Sequence, residues 1–256
     1  MARRVWTRDE TLLALRLYCL TPFGRIHTGN EDIQQLAAVI DRTPNAVAMK
    51  MLNLASFDPA ITSTGRVGLV NASALDEKTW QKFDGHVDQL LYASEAAARR
   101  VAEAVPDILL PEKLRDVAYS GPTEILRLSP QRRAQRFFRE TVLASYNYRC
   151  AVSGIDKPAL LNASHIIPWS EEKERRADPR NGISLSTLHD RAFDRGLITF
   201  DEQLGLVASS SLKNGNPNKV IRAAILEFEG KPLETAERFN PDPVALNFHR
   251  ERVFQR

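Results

Sequence analysis

Residues 150–200 constrain the fold more than any other part of the chain, because they change from strand-like to helical patterning within a short distance. Two short apolar runs predict two strands joined as a hairpin, and a proline closes the second strand. A polar loop, a helix stopped by a glycine and a further strand follow. The predicted strand, turn, strand, loop, helix and strand cover residues 150–154, 155–158, 160–167, 171–180, 184–193 and 197–200.

Three polar side chains occupy linked positions in this unit. His165 lies near the end of the second predicted strand, Asn181 follows the polar loop, and His189 lies on the predicted helix. Asn181 comes 16 residues after His165, and His189 comes 8 residues after Asn181. A single histidine in a strand or helix is most often structural, whereas three such residues in linked blocks of sequence favour a shared site.

The three blocks resemble the HNH endonuclease family. The residues that carry the resemblance are Ala163–Trp169, Asn181–Leu185 and Leu188–Gly196, within a region that makes up roughly a fifth of the chain. The resemblance implies a ββα-metal fold that hydrolyses the phosphodiester bonds of double-stranded DNA. It also implies one divalent metal ion per site, with Mg²⁺ first and Mn²⁺ or Ni²⁺ as alternatives.

The resemblance assigns a role to each of the three polar residues. Phosphodiester hydrolysis needs a general base that deprotonates water, and a neutral imidazole suits this task near pH 7. His165 matches the family's general base, and Asn181 matches the asparagine that braces the loop and orients that histidine. His189 matches the helix position that ligates the metal.

One position departs from the family pattern. Many relatives carry Asp or His directly before the general base, as a metal ligand, whereas this chain carries Ser164. A neutral hydroxyl is a weak ligand, so Ser164 acts through water or a carboxylate compensates, with Asp194 as the first candidate and Asp190 as the second. Strict strand alternation also separates Ser164 from His165, unless the strand ends or bulges there.

The N-terminal segment predicts three short helices. Thr7 and Glu10 form a capping box before the first helix, and Thr43 with Pro44 begins the third. The arrangement resembles Myb-type helix-turn-helix units and the front half of bacterial proteins of this architecture, some associated with restriction or phage defence. Lys50 and Asn53 share one face of the third helix and are the predicted DNA contacts. The alternative is a small helical bundle with a solvated face.

Basic residues concentrate in the second half of the chain. Residues 129–256 carry 20 Lys and Arg against 16 Asp and Glu, whereas residues 1–128 carry 15 against 16. A predicted helix that begins at Ser129 and Pro130 carries a basic stripe beside an apolar face. Such a stripe either contacts phosphate or only solubilises the helix. Together with one cation from the polar loop, the predicted phosphate contacts are Arg132, Arg136, Arg139 and Arg180.

The sequence therefore predicts an α+β protein of 256 residues with three segments. These are a helix-turn-helix-like module over 1–60, a connecting region over 61–125, and a nuclease domain over 126–256 with its core at 148–201. No apolar run has the ~18–20 residues of a membrane span, so we expect a cytoplasmic protein. A two-fold homodimer suits cleavage of both DNA strands. A non-catalytic DNA-binding regulator and an RNA-cleaving toxin remain the alternative functions.

Overall fold

The computed structural model divides the chain into two compact units, Met1–Phe137 and Phe138–Arg256. It describes residues 4–63, 72–105, 110–115, 117–119, 125–127, 129–214 and 216–256. Pro106, Pro111, Gly121 and Pro122 predict a linker within the connecting region. Pro111 precedes a 3₁₀ turn, Glu112–Leu114, and the other three lie outside the described residues. No helix in the described part of the chain is long and apolar enough to cross a membrane.

The first unit is mainly helical. Its first three helices begin and end close to the expected residues, and the Thr7–Glu10 capping box is present. The helix-turn-helix interpretation of these three helices stays a prediction. The helices are α1 (Arg8–Cys19), α2 (Glu31–Val39), α3 (Pro44–Ala55), α4 (Pro59–Thr62), α5 (Ala74–Phe83) and α6 (Val87–Ala104), and an antiparallel pair of strands, β1 (Val117–Tyr119) and β2 (Ile125–Arg127), follows.

Helix α1 forms the centre of this unit. Ten of its twelve residues are buried, and it packs against α3, α5 and α6. A helix that is buried nearly all round belongs to a core rather than to a surface. The first unit is therefore organised around α1.

The second unit combines helices with two small antiparallel sheets of two strands each. Helix α7 (Pro130–Ser145) begins before the boundary between the units and buries Phe138 and Val142, and Tyr146 directly after the helix is also buried. The elements that follow are β3 (Leu161–His165), β4 (Gly182–Ser186), α8 (Thr187–Asp194), β5 (Ile198–Phe200), β6 (Leu206–Ala208), α9 (Ser210–Lys213), α10 (Lys219–Ala224) and α11 (Pro243–Arg252).

The hairpin partner predicted from the sequence was wrong. Strand β3 pairs antiparallel with β4, with Leu161 opposite Ser186 and His165 opposite Gly182, rather than with residues 150–154. Residues 150–154 form a tight turn, in which the amide of Gly154 donates to the carbonyl of Cys150. In a short run of buried residues, the spacing of apolar side chains does not distinguish a strand from a helix. For this reason residues 184–186 were assigned to the helix.

A second run was also assigned to the wrong element. The apolar composition of residues 223–228 predicts a strand, but these residues form the end of α10 and a 3₁₀ turn, Leu226–Phe228. The side chain of Asn218 caps α10 by accepting from the amide of Ile221. The cap lies upstream of the apolar run, which by itself has the composition of a strand.

Candidate active site

The end of β3 opens into a pocket of about 440 Å³ in the second unit. The pocket lies between the β3 end and its following residues on one side and helix α8 and the end of α11 on the other. Its lining combines two imidazoles, an indole, two carboxylates and two guanidinium groups. The polar and aromatic residues of this lining are Ser164, His165, Trp169, Asp190, Arg191, Asp194, Arg195 and His249.

His165 is held in one orientation on three sides. Its Nε2 lies 3.0 Å from the carbonyl oxygen of Arg176, its ring stacks on Phe138 at 3.8 Å, and Trp169 approaches it edge-on at 5.4 Å. A carbonyl only accepts, so Nε2 carries the proton and Nδ1 keeps the lone pair. Burial lowers the pKa of His165, against the opposing effects of the Arg176 bond and the Asp190 charge. The imidazole is therefore a neutral base at neutral pH.

Asn181 fastens the loop that carries the Arg176 carbonyl. Its Oδ1 accepts from the amide of Ile167 at 2.8 Å, and its Nδ2 donates to the carbonyls of Ile167 at 3.1 Å and Arg175 at 3.4 Å. The side chain is buried, so these bonds are shielded from water. Asn181 thereby ties both ends of the loop together, and the bracing role that the resemblance implied stays a prediction.

His189 does not lie where a metal ligand was expected. It is buried and is absent from the described lining of the pocket. Its Nε2 donates to the carbonyl of Ala224 at 2.7 Å, and its Nδ1 lies 2.8 Å from the Ser186 hydroxyl and 3.6 Å from Cys150 Sγ. Both ring nitrogens are already in use, which corrects the expectation: in this structure His189 joins α8 to α10.

Two carboxylates of α8 face the pocket instead. Asp190 and Asp194 are four residues apart, so they share one face of the helix. Asp190 accepts a hydrogen bond from Asn162 at 2.7 Å. Burial raises the pKa of Asp194 and the nearby Asp190 charge raises it further, whereas the charges of Arg191 and Arg195 lower it. Carboxylates are the side-chain ligands that a hard divalent cation takes.

Ser164 and His165 both line the pocket, because β3 ends at His165 and the alternation of faces ends with it. Ser164 is buried, and its hydroxyl has no hydrogen-bond partner among the described residues. A buried hydroxyl without a partner is costly unless something absent from the chain itself satisfies it.

Arg191 and Arg195 are the cations of the pocket, and the sequence analysis missed them. Both are exposed, and neither makes a side-chain hydrogen bond or ion pair with the described residues. Their spacing of four residues places them on one face of a helix and was the sequence feature that could have identified them. Arg180, which was predicted to contact DNA, is instead paired with Asp178 at 3.1 Å.

The other predicted DNA contacts differ in accessibility. Lys50 is buried and pairs with Asp76 at 2.5 Å, which corrects the expectation of an exposed contact. Asn53 is half-buried. Arg132 is exposed, Arg136 lies 3.4 Å from the exposed Glu112, and Arg139 donates to the carbonyl of Pro158. Contact of the last three with phosphate stays a prediction.

The antiparallel β3–β4 pair is followed directly by helix α8, which is the order of elements in a ββα unit. Residues 150–201 match the family model described as HNH endonuclease. The chain therefore carries an HNH endonuclease domain over these residues, as the sequence blocks indicated. No curated protein matches the chain.

Proposed function

We propose that the protein is a divalent-metal-dependent endonuclease that hydrolyses phosphodiester bonds of double-stranded DNA. The observation that carries the proposal is His165, whose Nε2 is committed to a backbone carbonyl within a pocket that also holds two carboxylates and two arginines. The matched family domain supports the same reaction class.

His165 performs the proton transfer in this proposal. Its Nδ1 accepts a proton from a water molecule whose oxygen forms a bond to phosphorus. The ester P–O bond opposite breaks, and the leaving oxygen takes a proton from solvent. A positioned base of this kind contributes about 10²–10⁴-fold to a rate.

The pocket fits a hard divalent cation in part. No group of three or more His, Cys, Asp and Glu side chains arranged to hold a metal occurs among the described residues. Mg²⁺ nevertheless binds through one or two carboxylates, with water and phosphate oxygens completing its shell. Asp190 and Asp194 would supply the carboxylates, and the unpartnered Ser164 hydroxyl a further oxygen. Such an ion supplies positive charge against the phosphate oxygens.

Arg191 and Arg195 hold the phosphate backbone in this proposal. Guanidinium groups bind phosphate oxygens through paired donors, and these two are not occupied by carboxylates of the described chain. They replace Arg180 as the first candidates for phosphate contact at the site.

The biological setting is part of the proposal. The resemblance of the N-terminal segment supports a restriction or phage-defence role in the bacterial cytoplasm. Cleavage of both strands with one site per chain supports a homodimer on DNA.

A plasmid-cleavage assay with Mg²⁺ or Mn²⁺, run in parallel with an RNA substrate, tests the proposal. We expect DNA cleavage by the parent, a loss of about 10²-fold or more in His165→Ala, and metal-dependent loss in Asp190→Asn and Asp194→Asn. His27→Ala, an exposed histidine of the first unit, is the matched control. Cleavage of RNA alone would instead support the toxin, and binding of DNA without cleavage would support the regulator.

A further inference from the structure

Three residues beside the pocket form a closed ring of contacts. The imidazole of His165 donates to the carbonyl of Arg176, and Nε of Arg176 donates to the carbonyl of Trp169 at 2.7 Å. The Arg176 guanidinium also lies over the Trp169 indole, 5.0 Å from its centroid. The edge contact between Trp169 and His165 closes the ring.

We propose that Arg176 and Trp169 are positioning residues that fix His165 as the general base, an inference that rests on the proposed function. Arg176 uses its backbone carbonyl to orient His165 and its side chain to contact Trp169. Holding the Arg176 side chain in place therefore also restricts the position of its carbonyl. The indole, held by the guanidinium, packs against the imidazole from another side.

The loop needs such an anchor because its middle is solvated. Residues 170–174 are exposed, and a polar surface loop is mobile unless bonds restrain it. Asn181 holds the loop at the Arg175 carbonyl, and the Arg175 side chain pairs with Asp242. The Arg176 side chain adds a restraint on the residue whose own carbonyl contacts His165.

Arginine and tryptophan suit this role by geometry. A planar guanidinium donates in its plane through Nε while its face lies over an aromatic ring. Lysine has a point charge without an in-plane donor at that position, so Arg176→Lys should restore only part of the function. Phenylalanine keeps a ring at position 169, and the backbone carbonyl remains, so Trp169→Phe should be milder than Trp169→Ala.

Steady-state cleavage by the full chain tests the proposal. We expect Arg176→Ala to lower kcat about 10²-fold with KM changed by less than about threefold, because a misplaced base slows chemistry without weakening binding. Arg175→Ala is the matched control, since this neighbouring arginine of the loop pairs with Glu172 and with Asp242, the N-cap residue of α11, rather than with Trp169. In the His165→Ala background, Arg176→Ala should change kcat by less than about twofold, because the two residues act as a unit.

Long-range ¹H–¹⁵N spectra at a fixed pH provide a readout that does not depend on cleavage. We expect His165 to show the Nε2–H tautomer in the parent and a mixture of tautomers in Arg176→Ala, with the His165 signals assigned from His165→Ala. An unchanged tautomer in Arg176→Ala overturns the proposal, as does an equal kcat loss in the His165→Ala background. A raised KM with unchanged kcat in Trp169→Ala would make Trp169 a substrate contact instead. If the parent does not cleave DNA, the proposed function fails while the tautomer result still decides this inference.

Discussion

At the residue scale, the three histidines of the second unit differ in how many ring nitrogens the protein already uses. His165 commits only Nε2, so its other nitrogen keeps a lone pair for chemistry. His189 and His249 commit both nitrogens to neighbouring groups of the chain. The surroundings of each ring therefore separate one candidate base from two structural residues.

His249 makes stability depend on pH. Burial lowers the pKa of His249 to about 4, below an unfolded value near 6.5, so the unfolded chain binds the proton first as pH falls. Stability is complete above about pH 6.5 and declines toward pH 4, by up to about 3 kcal/mol for this residue. Urea unfolding at pH 7 and pH 4.5 should show this decline in the parent and a smaller one in His249→Gln. An equal decline in both proteins would contradict the assignment.

Lys50 contributes to the stability of the first unit. It forms a buried pair with Asp76, which also closes the capping box at the start of α5. Lys50→Ala leaves a buried carboxylate without its partner, which typically costs about 3–5 kcal/mol. Urea unfolding measures this loss, with the exposed Lys78→Ala as the control. A stable Lys50→Ala variant with weakened DNA binding would restore the original prediction that Lys50 contacts DNA.

At the element scale, the close approach of β4 and α7 sets the position of the His165 imidazole. Gly182 begins β4 with an ordinary extended backbone, so a turn conformation is not the reason for glycine here. A Cβ at this position would lie 2.5 Å from Val142 and 2.7 Å from Phe138. Phe138 is the residue that stacks on His165. A change in the spacing between β4 and α7 would therefore move Phe138 and, with it, the imidazole.

Gly182→Ala should therefore affect both folding and catalysis. Forcing one methyl group between β4 and α7 typically costs about 1–3 kcal/mol, and it displaces Phe138 against His165. We expect a lower unfolding midpoint together with a reduced cleavage rate. Gly24→Ala is the control, because a Cβ there meets nothing within 4 Å. A variant as stable as the parent would show that the helix moves away at no cost.

At the scale of the whole molecule, the excess of Lys and Arg contributes to phosphate binding only through side chains that carboxylates of the chain do not already pair with. Many arginines of the second unit are occupied by the chain itself, as Arg175 is by Glu172 and Asp242. Arg191 and Arg195 are exposed and lie beside the carboxylates of the pocket. Position rather than net charge therefore decides which cations are available to DNA.

The salt dependence of DNA binding tests this distinction. Replacing Arg191 and Arg195 with Ala should flatten the slope of log K against log salt by up to about 0.9 for each phosphate that the protein no longer neutralises. Arg180→Ala should change the slope less, since Asp178 already neutralises that side chain. Arg132, Arg136 and Arg139 enter the same measurement as predicted contacts. An unchanged slope in the Arg191 and Arg195 variant would show that phosphate binds elsewhere.

The sequence by itself determined which helices begin at a capping residue and the order of the three segments that resemble the family. The capping residues Thr7 and Thr43 accept from amides three residues later, so their spacing alone predicts these caps. The family blocks also singled out His165, which lines the pocket, whereas Ser186, the cap of α8, was assigned to the helix itself. These features depend on contacts between residues close in sequence.

Tertiary structure alone decided which strand pairs with β3, which α8 residues face the pocket and which cations stay free. His189 and Asp190 are adjacent in α8, so rotating the helix about its axis by one residue would turn His189 instead of Asp190 toward the pocket. The packing of α8 against β3, β4 and α10 sets this rotation. Lys50 became a core residue because Asp76, 26 residues later, reaches it. Contacts between residues distant in sequence fix these choices, and a local pattern of residue types carries no information about them.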